Sequence, residues 1–183
     1  ALRASQTGHL VLSTLHCNDT VDAVQRLIDL GMHPNSIASE LLAVFSQRLA
    51  RRICEGCGAP TEPPETLAAE IFPTGIPAGM KFFKGKGCDH CRGSGCYGRI
   101  AAIEFLPASP ELREAISRRA TVDELRIHAL KAGLMPLREH ALMLVNSEFA
   151  ATTSRALAES TLRARGTGDR AAWVQGAWRR VLN

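Results

Sequence analysis

The sequence predicts a mixed α/β chain that is interrupted by a metal-binding insertion and followed by helices. Three observations carry this expectation. Leu10-Val11-Leu12 and the stretch from Arg99 to Leu106 are short apolar runs of the kind that make buried strands. Cys54-Glu-Gly-Cys57 and Cys88-Asp-His-Cys91 form two C-x2-C pairs in a segment holding five of the nine prolines and eight of the fifteen glycines. After Pro110 the apolar spacing and the cap residues turn helical.

Taken in order, residues 10–15 are expected to form a strand entered from Gly8. Asn18 or Asp19 then caps a helix with Val21, Val24, Leu27 and Ile28 on its apolar face, and Gly31 stops it. A second helix is expected to begin near Asn35-Ser36 and to run to Ile53. It would carry Ile37, Leu41, Val44, Phe45, Leu49 and Ile53 on one stripe, with Arg48, Arg51 and Arg52 near its negative end. Residues 54–96 read as loops with one short helix from Thr66 to Ile71. A strand from Arg99 to Leu106 is closed by Pro107.

Glu111 to Arg118 reads as a helix, and Thr121-Val-Asp-Glu124 is a capping box that opens another, ended by Gly133. Pro136 opens a third, with Leu137, Ala141, Leu144 and Val145 inward. Thr152 or Thr153 caps a short fourth. In the tail, Trp173, Val174, Ala177, Trp178, Val181 and Leu182 would fall on one face of a helix. The domains expected from these readings are 1–53, 54–96, 97–108, 109–160 and a basic tail, 161–183.

The totals set bounds. A chain of 183 residues, 45% hydrophobic and 22% charged, can bury a real core. No apolar run approaches the ~20 residues of a membrane span. No signal segment opens the chain, and its first residues read as the middle of something, so a fragment is expected. The formal charge of +4 is uneven: five arginines and one aspartate from Thr161 to Asn183 account for all of it. The other 160 residues are formally neutral, so net charge gives no case for nucleic-acid binding.

Without a secretory signal, doubled C-x2-C spacing points to a metal clip and not to a disulfide framework. Cys54, Cys57, Cys88 and Cys91 would complete a four-thiolate structural zinc site with no open position for a substrate. The Pro/Gly-rich stretch between the pairs has few apolar residues to hold its ends together. His90 lies inside the second knuckle, where such a residue either replaces a cysteine or, more often, faces solvent. No G-x-x-x-x-G-K-[ST] phosphate loop occurs; Gly85-Lys86-Gly87 is the nearest approach. His9 and His16 lack the spacing of a helical metal pair, and on one continuous strand they would point to opposite faces.

Thr7-Gly8-His9-Leu10-Val11-Leu12-Ser13-Thr14-Leu15-His16, with Cys17-Asn18-Asp19 after it, resembles the histidine box of the secretion ATPases that power type II secretion and type IV pilus assembly (the GspE/PilB class). The likeness continues through Ile37-Ala38-Ser39, Gln47-Arg48-Leu49-Ala50-Arg51-Arg52-Ile53-Cys54 and both knuckles. It resumes at Gly95, Gly98-Arg99 and Glu104, and fades near Thr153.

The resemblance implies part of a RecA-like ATPase lobe, an inserted zinc subdomain and a small all-α domain, assembled as a homo-hexamer. It also implies a cytoplasmic protein, peripheral to the inner membrane, working with an inner-membrane platform and cytoplasmic assembly proteins and with no nucleic acid. His16, and with it His9, would be the catalytic histidines, and His16 and Arg48 the nucleotide contacts. ATP and Mg²⁺ would need a phosphate loop and an acidic motif upstream of Ala1, so the fragment alone is expected to be inactive. Cys17 stands where the family often has threonine, and Cys96 where it commonly has an aromatic. The alternative reading is a stand-alone zinc-stapled interaction module without catalytic activity.

Overall fold

The computed structural model describes residues 2–147. The expected helix after Thr152 or Thr153 and the tryptophan-bearing tail lie outside the described residues. In chain order the elements are α1 (Leu2–Ser5), α2 (Thr20–Asp29), α3 (Pro34–Glu40), β1 (Ala43–Ile53), β2 (Gly58–Pro60), α4 (Glu65–Ile71), β3 (Phe83–Gly85), a 3-10 turn (Asp89–Cys91), β4 (Cys96–Pro107), α5 (Pro110–Ser117), α6 (Val122–Lys131) and α7 (Leu137–Asn146). Two compact units result. Among the described residues, the first takes 2–47 together with Ile103–Pro136, and the second takes Arg48–Ala102 and 137–147.

The first unit is helical packing on strand ends. Asp19 caps α2 by accepting from the Asp22 backbone N–H, and Val21 and Val24 are fully buried on its inner face. Ser109 caps α5 and Thr121 caps α6, the latter with the reciprocal Glu124 bond of a capping box. Val21, Val24, Ile37, Leu106, Leu112, Ile116 and Leu125 meet in one core. Burying each of these side chains is worth about 1.5–3 kcal/mol. Arg113 ties the end of α3 by donating to the Ala38 and Ser39 carbonyls. Of the helices after Pro110, α5 and α6 belong to this unit and α7 to the other.

The second unit has its own core, built from Ala50, Ile71, Phe72, Phe82, Ala102 and residues of α7. Phe72 and Phe82 meet edge to face at 6.2 Å. Arg138 donates to the Ile71 carbonyl at 2.6 Å, and Asn146 accepts from the Lys81 backbone at 2.8 Å. Both bonds hold α7 to the loop-rich segment. β2 pairs antiparallel with β3, in the register Gly58 to Gly85 and Pro60 to Phe83.

β1 pairs with β4 as a two-stranded ribbon. Ala108 donates to the Leu42 carbonyl at one end and Cys54 to the Gly95 carbonyl at the other, so the strands run antiparallel. Inward and outward positions alternate strictly from Ala102 to Pro107.

Two expected elements are corrected. The helix expected from Asn35 to Ile53 ends at Glu40, and Leu41 is already extended at ψ 120°. The chain continues as β1, because β4 offers a partner for its backbone and Ser46-Gln47-Arg48-Leu49-Ala50 alternates as a strand does. The helical stripe would have buried Phe45 and Leu49, which are 70% and 51% exposed. The strand expected at residues 10–15 has no regular structure. No described strand pairs with it, and Leu10 and Leu12 are 75% and 89% exposed. No described helix is long and apolar enough to cross a membrane.

Candidate functional site

The β2–β3 hairpin brings the two cysteine knuckles together. Cys57 directly precedes β2 and Cys88 lies three residues beyond β3, so the hairpin register sets both pairs at one end. In the first knuckle the Cys54 carbonyl accepts from the Cys57 and Gly58 amides. In the second, the Cys88 carbonyl accepts from Gly93, and Arg92 takes the left-handed backbone at φ 51°. Glycine is required where the chain closes on itself. A Cβ at Gly85 would lie 1.9 Å from the Gly95 carbonyl oxygen, and one at Gly87 2.7 Å from that of Gly93.

The sulfurs of Cys54, Cys57, Cys88 and Cys91 all lie within 4.8 Å of one another. Cys54 to Cys88 is 3.7 Å, and Cys57 to Cys91 and Cys88 to Cys91 are each 3.8 Å. Four thiolates tetrahedral about zinc, with Zn–S near 2.3 Å, require S···S edges of about 3.8 Å. The donor set therefore fits a metal ion of that size and preference.

Backbone amides point at the sulfurs as well: Gly87 at Cys57 (3.3 Å), and Cys88 and Gly95 at Cys91 (3.2 Å each). The Cys88 amide, ahead of the others, draws the Cys91 thiol down to about 6, whereas burial pushes Cys57 up to about 12. Four desolvated sulfurs at these distances cannot all ionise without a cation among them. Cys54 and Cys91 are buried, and His90 is exposed with its ring stacked 4.4 Å from Tyr97, outside the cluster.

The histidines are placed differently. His9 follows α1, its amide donating to the Ala4 carbonyl and its Nδ1 lying 3.1 Å from the Thr7 hydroxyl. His16 is exposed and lines an open pocket of ≈ 250 Å³ alongside α2, with Cys17, Asn18, Asp22, Arg26 and Asp29 among its neighbours. His9 does not line that pocket. Arg48 is half-buried on β1, in the second unit. The structure thus brings the four cysteines together, while His9 and His16 belong to the first unit and Arg48 to the second. The pocket at His16 carries two carboxylates and one guanidinium, so it is no phosphate cradle by itself.

The sequence motifs do not reveal a polar anchor at the start of α2. Among the described residues the buried polar ones are Thr20 and Glu104. Glu104 accepts from the Thr20 amide at 2.9 Å and from its hydroxyl at 2.5 Å. Asp19 accepts from Arg126 at 2.9 Å. The available signal was a glutamate at an inward position of the otherwise apolar run from Ile100 to Pro107.

Residues 1–159 match the family described as type II/IV secretion system protein. The chain is 41% identical over 143 residues to a protein named type IV pilus assembly ATPase PilB from Thermus thermophilus, covering 78% of this chain and 16% of that protein. It is 38% identical over 145 residues to a protein transport protein HofB homolog from Escherichia coli, covering 79% and 30%. It is 35% identical over 135 residues to a type II secretion system protein E from Pseudomonas aeruginosa, covering 73% and 26%. The match thus spans less than a third of the length of each of these relatives.

Proposed function

The chain belongs to the type II/IV secretion system protein family, and we propose that it serves a motor ATPase of type II secretion or type IV pilus assembly, supplying a histidine contact to ATP and a zinc-stapled subdomain. The observation that carries this reading is the extent of the family match, which includes the histidine segment and both cysteine pairs. Relatives that align over most of this chain are named as pilus assembly ATPases and secretion proteins.

In this reading Cys54, Cys57, Cys88 and Cys91 hold one zinc ion. Bound there, zinc supplies structure alone, since four thiolates leave it no open position. The amides of Gly87, Cys88 and Gly95 donate to the Cys57 and Cys91 sulfurs, and the part of the four cysteines is to fasten the two knuckles to each other around the ion. His16 donates a hydrogen bond to the terminal phosphate of ATP, or in its protonated form stabilises the charge that develops there. His9 and Arg48 are secondary contacts to nucleotide or to a neighbouring subunit.

The remaining phosphate contacts and Mg²⁺ come from sequence outside these 183 residues, which hold no phosphate loop. By themselves these residues therefore do not hydrolyse ATP. In the whole protein they form part of a RecA-like lobe followed by a helical domain, in a homo-hexamer that works in the cytoplasm against an inner-membrane platform.

The test is ATP hydrolysis by the whole protein carrying His16→Ala. Turnover should fall by roughly a hundredfold or more, with metal content and helicity unchanged. Wild-type turnover would remove His16 from the mechanism. A whole protein that binds metal but never hydrolyses ATP would favour the zinc-stapled interaction module.

A further inference from the structure

We infer that Glu104 is a positioning residue for His16, acting through Thr20 at the start of α2; the inference rests on the role proposed for His16. Oε1 of Glu104 accepts from the Thr20 amide at 2.9 Å and from the Thr20 hydroxyl at 2.5 Å, and both residues are buried. Thr20 is the first residue of α2, so its amide is one of the donors that helix formation leaves without an internal acceptor. Immediately before it, Asp19 accepts from the Asp22 amide at 2.8 Å with one oxygen and from Arg126 at 2.9 Å with the other. Two consecutive residues are therefore tied to β4 and α6.

Asp19 accepts from the Asp22 amide and leaves that of Thr20 to Glu104, at the desolvation cost of a buried acid. What the anchor does is set the place and direction from which the chain leaves α2 backwards. His16 stands four residues before Thr20, a span of at most ~14 Å of chain. On its other side, residues 9–15 have no regular structure and expose Leu10 and Leu12. Within the described residues, the regular element nearest to His16 in sequence is α2, which Thr20 begins. A histidine that must meet a phosphate in the transition state loses rate when displaced by even an ångström.

The experiment is steady-state ATP hydrolysis by the whole protein, with folding followed by circular dichroism and metal content. Glu104→Ala and Thr20→Val should lower kcat by roughly tenfold or more while the KM for ATP stays nearly constant. Glu104→Gln keeps an oxygen acceptor and Thr20→Ser keeps the hydroxyl, so both should retain most of the turnover. His16→Ala alone should lower it by roughly a hundredfold or more, and adding Glu104→Ala to that variant should cost nothing further.

If Glu104→Ala does not fold, the Thr20→Val and Thr20→Ser pair decides. Wild-type kcat in folded Glu104→Ala or Thr20→Val, beside a slowed His16→Ala, would overturn the inference and leave the ATPase reading intact. A further loss in the double variant would also overturn it. Wild-type turnover in His16→Ala would instead remove the underlying role of His16, and the inference with it.

Discussion

The tetracysteine clip and the histidine segment differ in where their geometry comes from. In the clip, the Cys54 and Cys88 carbonyls close their own knuckles, and the β2–β3 register sets the knuckles side by side. The knuckle bonds and the hairpin that set four sulfurs within 4.8 Å of one another all lie between residues 54 and 95. His16 has no such local frame. It comes after a stretch without regular structure, and the bonds that we infer to position it, at Asp19 and Thr20, come from Arg126 and Glu104, far along the chain. A site made of knuckles is nearly self-contained, whereas one made of a single side chain beside a helix start depends on distant partners.

That contrast can be broken most forcefully at the metal. Cys54→Ser should lose the ion and open residues 54–96, seen as faster hydrogen exchange at the Gly87 and Gly95 amides. Structural zinc is worth about 10–16 kcal/mol in small finger peptides, so this is the largest effect expected. Unchanged protection would mean that packing holds the segment without metal.

Leu125→Ala probes the opposite side. Leu125 is fully buried in the first core, and truncation should cost about 2–5 kcal/mol in denaturant unfolding. Metal content should be unaffected, because that core shares no residue with the knuckles. A smaller loss is expected from Gly85→Ala, about 1–3 kcal/mol, as the new Cβ meets the Gly95 backbone. In this variant metal affinity should fall together with stability.

The smallest effects belong to the helix caps. Thr121→Ala should cost about 1 kcal/mol. Glu124 is held below its ordinary value of 4.5 chiefly by the Thr121 amide, and Glu111 likewise by its own backbone amide and the Ser109 hydroxyl. A carboxyl lowered on folding contributes stability above its ordinary pKa and loses it as pH falls through the lower folded value. Acid titration below pH 4.5 should therefore loosen α5 and α6, read as a drop in helicity that Glu124→Gln makes smaller.

The helical elements were legible because their signals are local. Asp19, Ser109 and Thr121 sit where the caps form, and Gly31 and Gly133 turn the chain out of α2 and α6 at φ +83° and +95°. The cysteine cluster was legible for the same reason, since spacing alone identifies the ligands. β1 was not, because Val44, Phe45 and Leu49 satisfy a helical stripe as well as a strand and only β4, far along the chain, decides. The strand expected at residues 10–15 needed a partner that no described strand supplies. The Thr20–Glu104 anchor joins residues 84 apart in sequence, beyond the reach of any motif.

In this reading the metal site is complete within the 183 residues and the nucleotide site is not. Native mass spectrometry of the 183-residue chain, with zinc and with ATP and Mg²⁺ present, tests both halves at once. One zinc per chain and no bound ATP is the predicted result. A chain free of zinc, or one that binds ATP without sequence outside these residues, would contradict it.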